Sequence, residues 1–175
     1  MLFSFTVVIF LQPFIGNAVF AAGADLSITF DEDLIYCNAS YTGNAEHIAQ
    51  VLNEGTEVTL VWNIDVYGIR EYWLNKGVGG VTVSHSVVPD LVSRKWHLID
   101  RTSGISRFVD SLQDAISFLT QLERFPVIDR SLLEKGQQYR LRFTLEEHLG
   151  FVEEGWFSRW WGYEKTKYNL DFTNP

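Results

Sequence analysis

From Val58 to Tyr67 the chain alternates, with Val58, Leu60, Trp62, Ile64 and Val66 on one side and Thr59, Asn63, Asp65 and Tyr67, interrupted only by Val61, on the other. A period of two held over this length is incompatible with a helix, whose side chains return to one face about every 3.6 residues. The segment is therefore a strand with one buried face. A chain that contains it must supply a second layer to cover that face.

Other segments repeat the pattern. Leu26, Ile28 and Phe30 alternate with polar neighbours, Asp31-Glu32-Asp33 makes a turn, and Leu34 to Tyr41 follows as the second arm of a hairpin. Val81 to Val87, Lys95 to Asp100, Ile105 to Val109, Tyr139 to Leu145 and Thr166 to Phe172 also alternate, and Thr102-Ser103-Gly104 reads as a hairpin turn. Asn75, Lys76, Gly77, Gly79 and Gly80 read as a loop. Two stretches are helical instead. Asn44 is placed to cap Ala45 to Asn53, which Gly55 ends; Ser111 and Asp114 resemble a capping box, after which Leu112, Ala115, Ile116, Leu119 and Leu122 recur at helical spacing until Pro126.

Eight or so strands and two short helices, without regular strand-helix alternation, predict a mainly β chain: an antiparallel, immunoglobulin-like β-sandwich. The alternative is an α+β curled sheet with the Leu112 helix packed on one face. No internal repeat, low-complexity stretch or linker divides the chain.

Met1 to Ala24 contains no charged side chain and ends in small residues, the layout of a secretory signal. Ala22 and Ala24 suit cleavage after Ala24, leaving residues 25–175 as a single exported domain with an aromatic-rich C-terminal segment at about 150–175; cleavage after Ala21 fits nearly as well, and retention as an anchor is the alternative. The 22 acidic and 14 basic residues give a net charge of −8. Such a balance disfavours nucleic acid and anionic lipid as partners, since both require a surplus of Lys and Arg. The lone cysteine, Cys37, excludes an internal disulfide, and the apolar run around it predicts a buried, unreactive thiol.

Little in the sequence points to catalysis. His47, His85, His97 and His148 have no metal-ligand spacing. His85 shares a face with Val81, Val83 and Val87, which predicts a satisfied polar group at a core margin, and His97 is expected to see solvent. No Gly-x-Ser-x-Gly elbow is present, because Gly104-Ile105-Ser106-Arg107-Phe108 lacks the closing glycine. The acidic clusters Asp31 to Asp33, Glu146-Glu147 and Glu153-Glu154 read as solvated turns, not as converging carboxylates. Gly77, Gly79 and Gly80 lack the following helix of a phosphate cradle. No catalytic residue, metal ligand or cofactor site is assigned.

The most unusual stretch is Gly155 to Tyr163, which holds three of the six tryptophans. Trp156, Phe157, Trp160, Trp161 and Tyr163 are the candidate interaction residues, since tryptophan combines an apolar body with one N–H donor and suits protein interfaces and membrane headgroup zones. The competing reading is that these rings close one end of the sandwich.

Several segments, in order, resemble the family of exported bacterial proteins catalogued as domain of unknown function 4390: Glu71 to Lys76, Val83 to Val87, Leu91 to Leu98, Phe108 to Ala115, Phe125 to Val127 and Leu133 to Tyr139. The similarity runs from about Ile28 to Leu149 and returns at Tyr168 to Thr173. The resemblance implies a signal peptide and an extracytoplasmic domain, with no activity, ligand or catalytic residue to carry over. Relatives are often encoded beside membrane sensor kinases of the nitrogen-regulation type, which makes a sensor's periplasmic portion the implied partner. The chain departs from the family between Leu149 and Trp161, where relatives tend to be apolar and aromatic but Glu153, Glu154 and Arg159 are interleaved here. The leading expectation is a periplasmic, noncatalytic protein-interaction module. The alternatives are a small-ligand-binding domain or hydrolase with an inter-sheet pocket, and peripheral membrane docking through Trp156 to Tyr163. Oligomeric state is not legible.

Overall fold

The computed structural model describes residues 19–21, 23–72, 74–150 and 165–175. In chain order the elements are β1 (Val19–Ala21), β2 (Ala24–Phe30), β3 (Leu34–Tyr41), α1 (Ala45–Asn53), β4 (Val58–Gly68), β5 (Lys76–Asp90), β6 (Lys95–Asp100), β7 (Ser106–Val109), α2 (Leu112–Thr120), β8 (Gln121–Asp129), β9 (Gln138–Leu149) and β10 (Lys165–Thr173). A 3-10 turn, Arg130–Leu132, follows β8. The strands form two antiparallel sheets, ordered β1-β2-β3-β8 and β10-β9-β4-β5-β6-β7. The fold is a β-sandwich, not a closed barrel.

β4 occupies the centre of the larger sheet, between β5 and β9. Its apolar row is buried: Val58, Leu60, Ile64 and Val66 are fully enclosed, and Trp62 retains 2% exposure. Tyr139, Leu141, Phe143 and Leu145 of β9 and Val83 and Val87 of β5 extend the same inner face. The smaller sheet covers it with Leu26, Ile28, Ile35 and Cys37, and Phe30 meets Phe172 of β10 across the gap with ring centroids 6.0 Å apart. Beyond the smaller sheet, α2 lies against β5, β6 and β7 and packs on α1. The helices thus cover the part of the larger sheet that β8 leaves open.

Four expectations are corrected. The helical stripe stops at Thr120, not near Pro126, and Gln121 to Asp129 form a strand paired with β3. Thr120 turns its hydroxyl back to Ile116 O at 2.8 Å, and Leu122 joins the core from β8. Pro126 is tolerated because β8 is an edge strand. Second, the glycine group is strand, not loop: Gly77, Gly79 and Gly80 lie in β5 opposite Tyr67, Val66 and Asp65. A Cβ on Gly80 would come within 2.6 Å of Asp65 Oδ1 and 2.9 Å of Ile64 O, and one on Gly79 within 3.3 Å of Ile128 from the other sheet. These glycines permit close approach. Third, Glu146 and Glu147 are half-buried in β9, on opposite faces, and do not form a solvated turn.

Fourth, Asn44 precedes α1, but its side chain makes no cap bond; Nδ2 donates instead to Glu147 Oε2 at 3.2 Å. Ser111 caps α2 as expected, accepting from Asp114 N at 3.3 Å. Cys37 is fully buried, and desolvation pushes its thiol up to about 12, so it holds its proton at any physiological pH. The chain's end is fastened too: Asn174 N–H donates to Gln137 O, its Nδ2 to Leu133 O, and its Oδ1 accepts from Arg130 Nε.

Candidate functional site

The interaction residues expected from sequence, Trp156, Phe157, Trp160, Trp161 and Tyr163, lie outside the described residues. They belong to the connection between β9 and β10, whose two ends are described. β9 finishes at Leu149 and β10 starts at Lys165, where β4 begins and β5 ends, since Val58 faces both Val87 and Leu149. At one end of the larger sheet therefore lie the α1–β4 and β5–β6 connections and the described ends of β9 and β10.

The β5–β6 turn presents two adjacent aliphatic side chains to solvent, Leu91 at 69% and Val92 at 96% exposure, and Leu149 adds a third at 47%. The turn is built to hold them there. Asp90 accepts from Val92 N at 3.0 Å, Ser93 N at 3.1 Å and Ser93 Oγ at 2.6 Å, and the Ser93 bonds hold its carboxyl below the usual carboxylate range. Arg94 closes the turn with φ of 55°. Gly55, at φ 85°, sits beneath Leu91, and a Cβ there would lie 3.2 Å from Leu91 Cδ1. Gly150 N donates to Glu57 O at 2.8 Å, tying the end of β9 to the α1–β4 connection.

On the outer face behind this end lies a polar network. Glu57, only 7% exposed, accepts from Arg101 Nη2 at 2.6 Å. Arg101 Nε donates to Ser86 Oγ, and Ser86 Oγ lies 2.6 Å from Thr59 Oγ1. Beside it, Glu146 pairs with Lys165 at 2.9 Å and lies 3.9 Å from His148 Nε2. Burial holds His148 below the usual imidazole range, with Lys165 adding to the effect and Glu146 opposing it. These side chains fix strand to strand, and the aliphatic tip is the exposed apolar feature of this end among the described residues.

His85 sits where the sequence placed it, on the inner face at a core margin. Its Nδ1–H donates to Phe118 O at 2.8 Å, and the rings stack with centroids 4.3 Å apart. Desolvation lowers its pKa, against the Phe118 bond and the charge of Asp100. Asp100 faces it across the ladder, but that carboxylate accepts from Thr102 N, Ser103 N and Ser103 Oγ. His97 is half-buried and stacks on Phe108 at 4.4 Å. Among the described residues no cluster of His, Cys, Asp and Glu could hold a metal ion, and no helix is long and apolar enough to cross a membrane. Leu91 and Val92 escaped the sequence reading, although two adjacent aliphatics between Pro89-Asp90 and Ser93-Arg94 break the strand alternation and mark a turn with an apolar tip.

The family model described as Domain of unknown function (DUF4390) matches residues 23–149. No curated protein and no solved structure matches the chain.

Proposed function

The chain belongs to the DUF4390 family, and from that premise we propose that it is an extracytoplasmic, noncatalytic protein-interaction module whose docking end is the Leu91, Val92 and Leu149 platform. The observation that carries this reading is the near-complete exposure of Val92 on a turn stiffened by Asp90. A soluble protein seldom fixes adjacent aliphatic side chains in water without a use for them. The aromatic segment with Trp156, Trp160 and Trp161 leaves from the same end and supplies the residue types that dominate interface energetics. The partner is the periplasmic portion of a membrane sensor kinase. Changing Leu91 and Val92 together to serine is expected to weaken partner binding by about tenfold or more, with the melting temperature unchanged, because neither side chain contributes to the core. Pull-down and calorimetry on the purified pair check this; unchanged affinity rejects the platform. Changing Trp160 and Trp161 to alanine tests the neighbouring segment by the same readout.

Export is part of the proposal, and the fold bears on where processing falls. Ala24 is buried and opens β2, and Gly23 O accepts from Thr42 N at 2.9 Å. Cleavage after Ala24 would remove both, whereas cleavage after Ala21 keeps them. The mature chain is expected to begin at Ala22, and intact-mass measurement of the secreted protein checks it. A mass starting at Asp25 contradicts the expectation.

A further inference from the structure

The edges of the two sheets are not alike. β7 has four residues, and β8 carries Pro126, Arg124 at φ 44° and two register irregularities against β3. Short length, proline and bulges are the usual devices that keep an edge from recruiting another strand. β10 has none of them. It runs for nine residues, pairs with β9 without a register shift, contains no proline, and has no neighbour on its outer side among the described residues. Tyr168, Leu170 and Phe172 point into the core, while Lys165, Lys167, Asn169, Asp171 and Thr173 are exposed on the outer face.

We propose that β10 pairs antiparallel with β10 of a second copy of the chain, about a two-fold axis at Asn169, so that the two larger sheets become one continuous sheet. A two-fold contact is self-complementary: if residue i meets j, then j meets i. Full overlap of the nine residues sets Asn169 against itself, Lys165 against Thr173, and Lys167 against Asp171, the last pair occurring twice by symmetry. Sliding the copies two residues toward the C-terminus sets Asn169 against Asp171 and loses the charge match. Sliding two residues the other way exchanges that match for Lys165 against Asp171 and sets Lys167 against Asn169. The register that overlaps all nine described residues of β10 is thus also one that matches charge.

The flanking charges agree. Asp171 accepts from Arg140 Nε at 2.6 Å and Nη2 at 2.7 Å on its own sheet, which leaves its far side toward the edge. Lys167 has no ion-pair partner among the described residues. Across the axis the outer row would read Arg140, Asp171, then Lys167 of the second copy, with signs alternating. Cross-strand opposite charges favour such pairing and like charges oppose it. The paired strands span about 30 Å. One strand pair buries less than the ~1,600 Å² of a standard stable interface, so the dimer is weak and salt-sensitive.

Sedimentation of the purified chain at rising concentration, with crosslinking by substituted cysteines, tests this. The natural Cys37 is buried and does not compete. Dimer is expected at high micromolar concentration, and Asn169→Cys is expected to form a disulfide-linked dimer under mild oxidation much faster than Glu123→Cys on β8. Lys167→Glu, which sets Glu against Asp171, is expected to raise the dimer dissociation constant about tenfold or more with an unchanged circular dichroism spectrum and melting temperature. A chain that stays monomeric overturns the proposal, as does a dimer in which Asn169→Cys crosslinks no faster than Glu123→Cys.

Discussion

Replacing Trp62 with alanine is expected to cost about 3–5 kcal/mol of folding free energy, which is a large part of the ~5–15 kcal/mol available to a domain of ordinary stability. The indole is 2% exposed on the central strand, so its removal deletes contacts to both sheet neighbours and to α2. Its Nε1–H also donates to Leu119 O in the last turn of α2, at 3.4 Å. Truncation leaves that carbonyl without its partner as well as opening a cavity. The melting temperature should fall by about 6–20 °C. Trp62→Phe restores most of the volume but not the donor, and should cost about 1–2 kcal/mol. Urea unfolding followed by circular dichroism separates the two contributions; a loss under about 1.5 kcal/mol for the alanine variant would mean that the helix does not rest on β4.

Arg101→Met should be nearly as damaging, at about 2–4 kcal/mol. Removing one partner of a buried pair strands the other charge, and Glu57 is 7% exposed with Thr59 Oγ1 at 3.4 Å as its remaining side-chain partner. The upper end of the range for buried pairs is not expected, because the Arg101 side chain is half-exposed and partly screened by solvent. Glu57→Gln in the same chain should recover much of the loss, since the stranded carboxylate is then neutral. A double-mutant cycle on these positions is expected to give a coupling of about 1–3 kcal/mol. Strict additivity would show that the pair contributes nothing beyond its separate contacts.

The parts of the fold legible in the sequence are those set by local contrast. β4 is readable because its two faces differ in polarity at nearly every step, Val61 excepted, and α1 because Ile48, Val51 and Leu52 share a stripe that ends at Gly55. β8 is not. Leu119 and Leu122 continue the helical spacing of α2, and only pairing with β3, far away in sequence, converts Gln121 onward into a strand. The glycines of β5 were misread for a related reason: Gly79 is small because Ile128 of the other sheet presses on it, a contact no local window contains. Glu57 and Arg101 likewise meet across 44 positions of sequence. At the proposed docking end, composition marks an aromatic segment, but the exposure of Leu91 and Val92 on the β5–β6 turn is visible only once the strands are placed.

The placement of β4 between β5 and β9 also has a consequence in time. β5 follows β4 closely during synthesis, but β9 emerges only after α2 and β8. Until then one flank of the most apolar strand has nothing to bond, and pairings this distant in sequence close slowly. A nascent chain of this order is a ready client for chaperones.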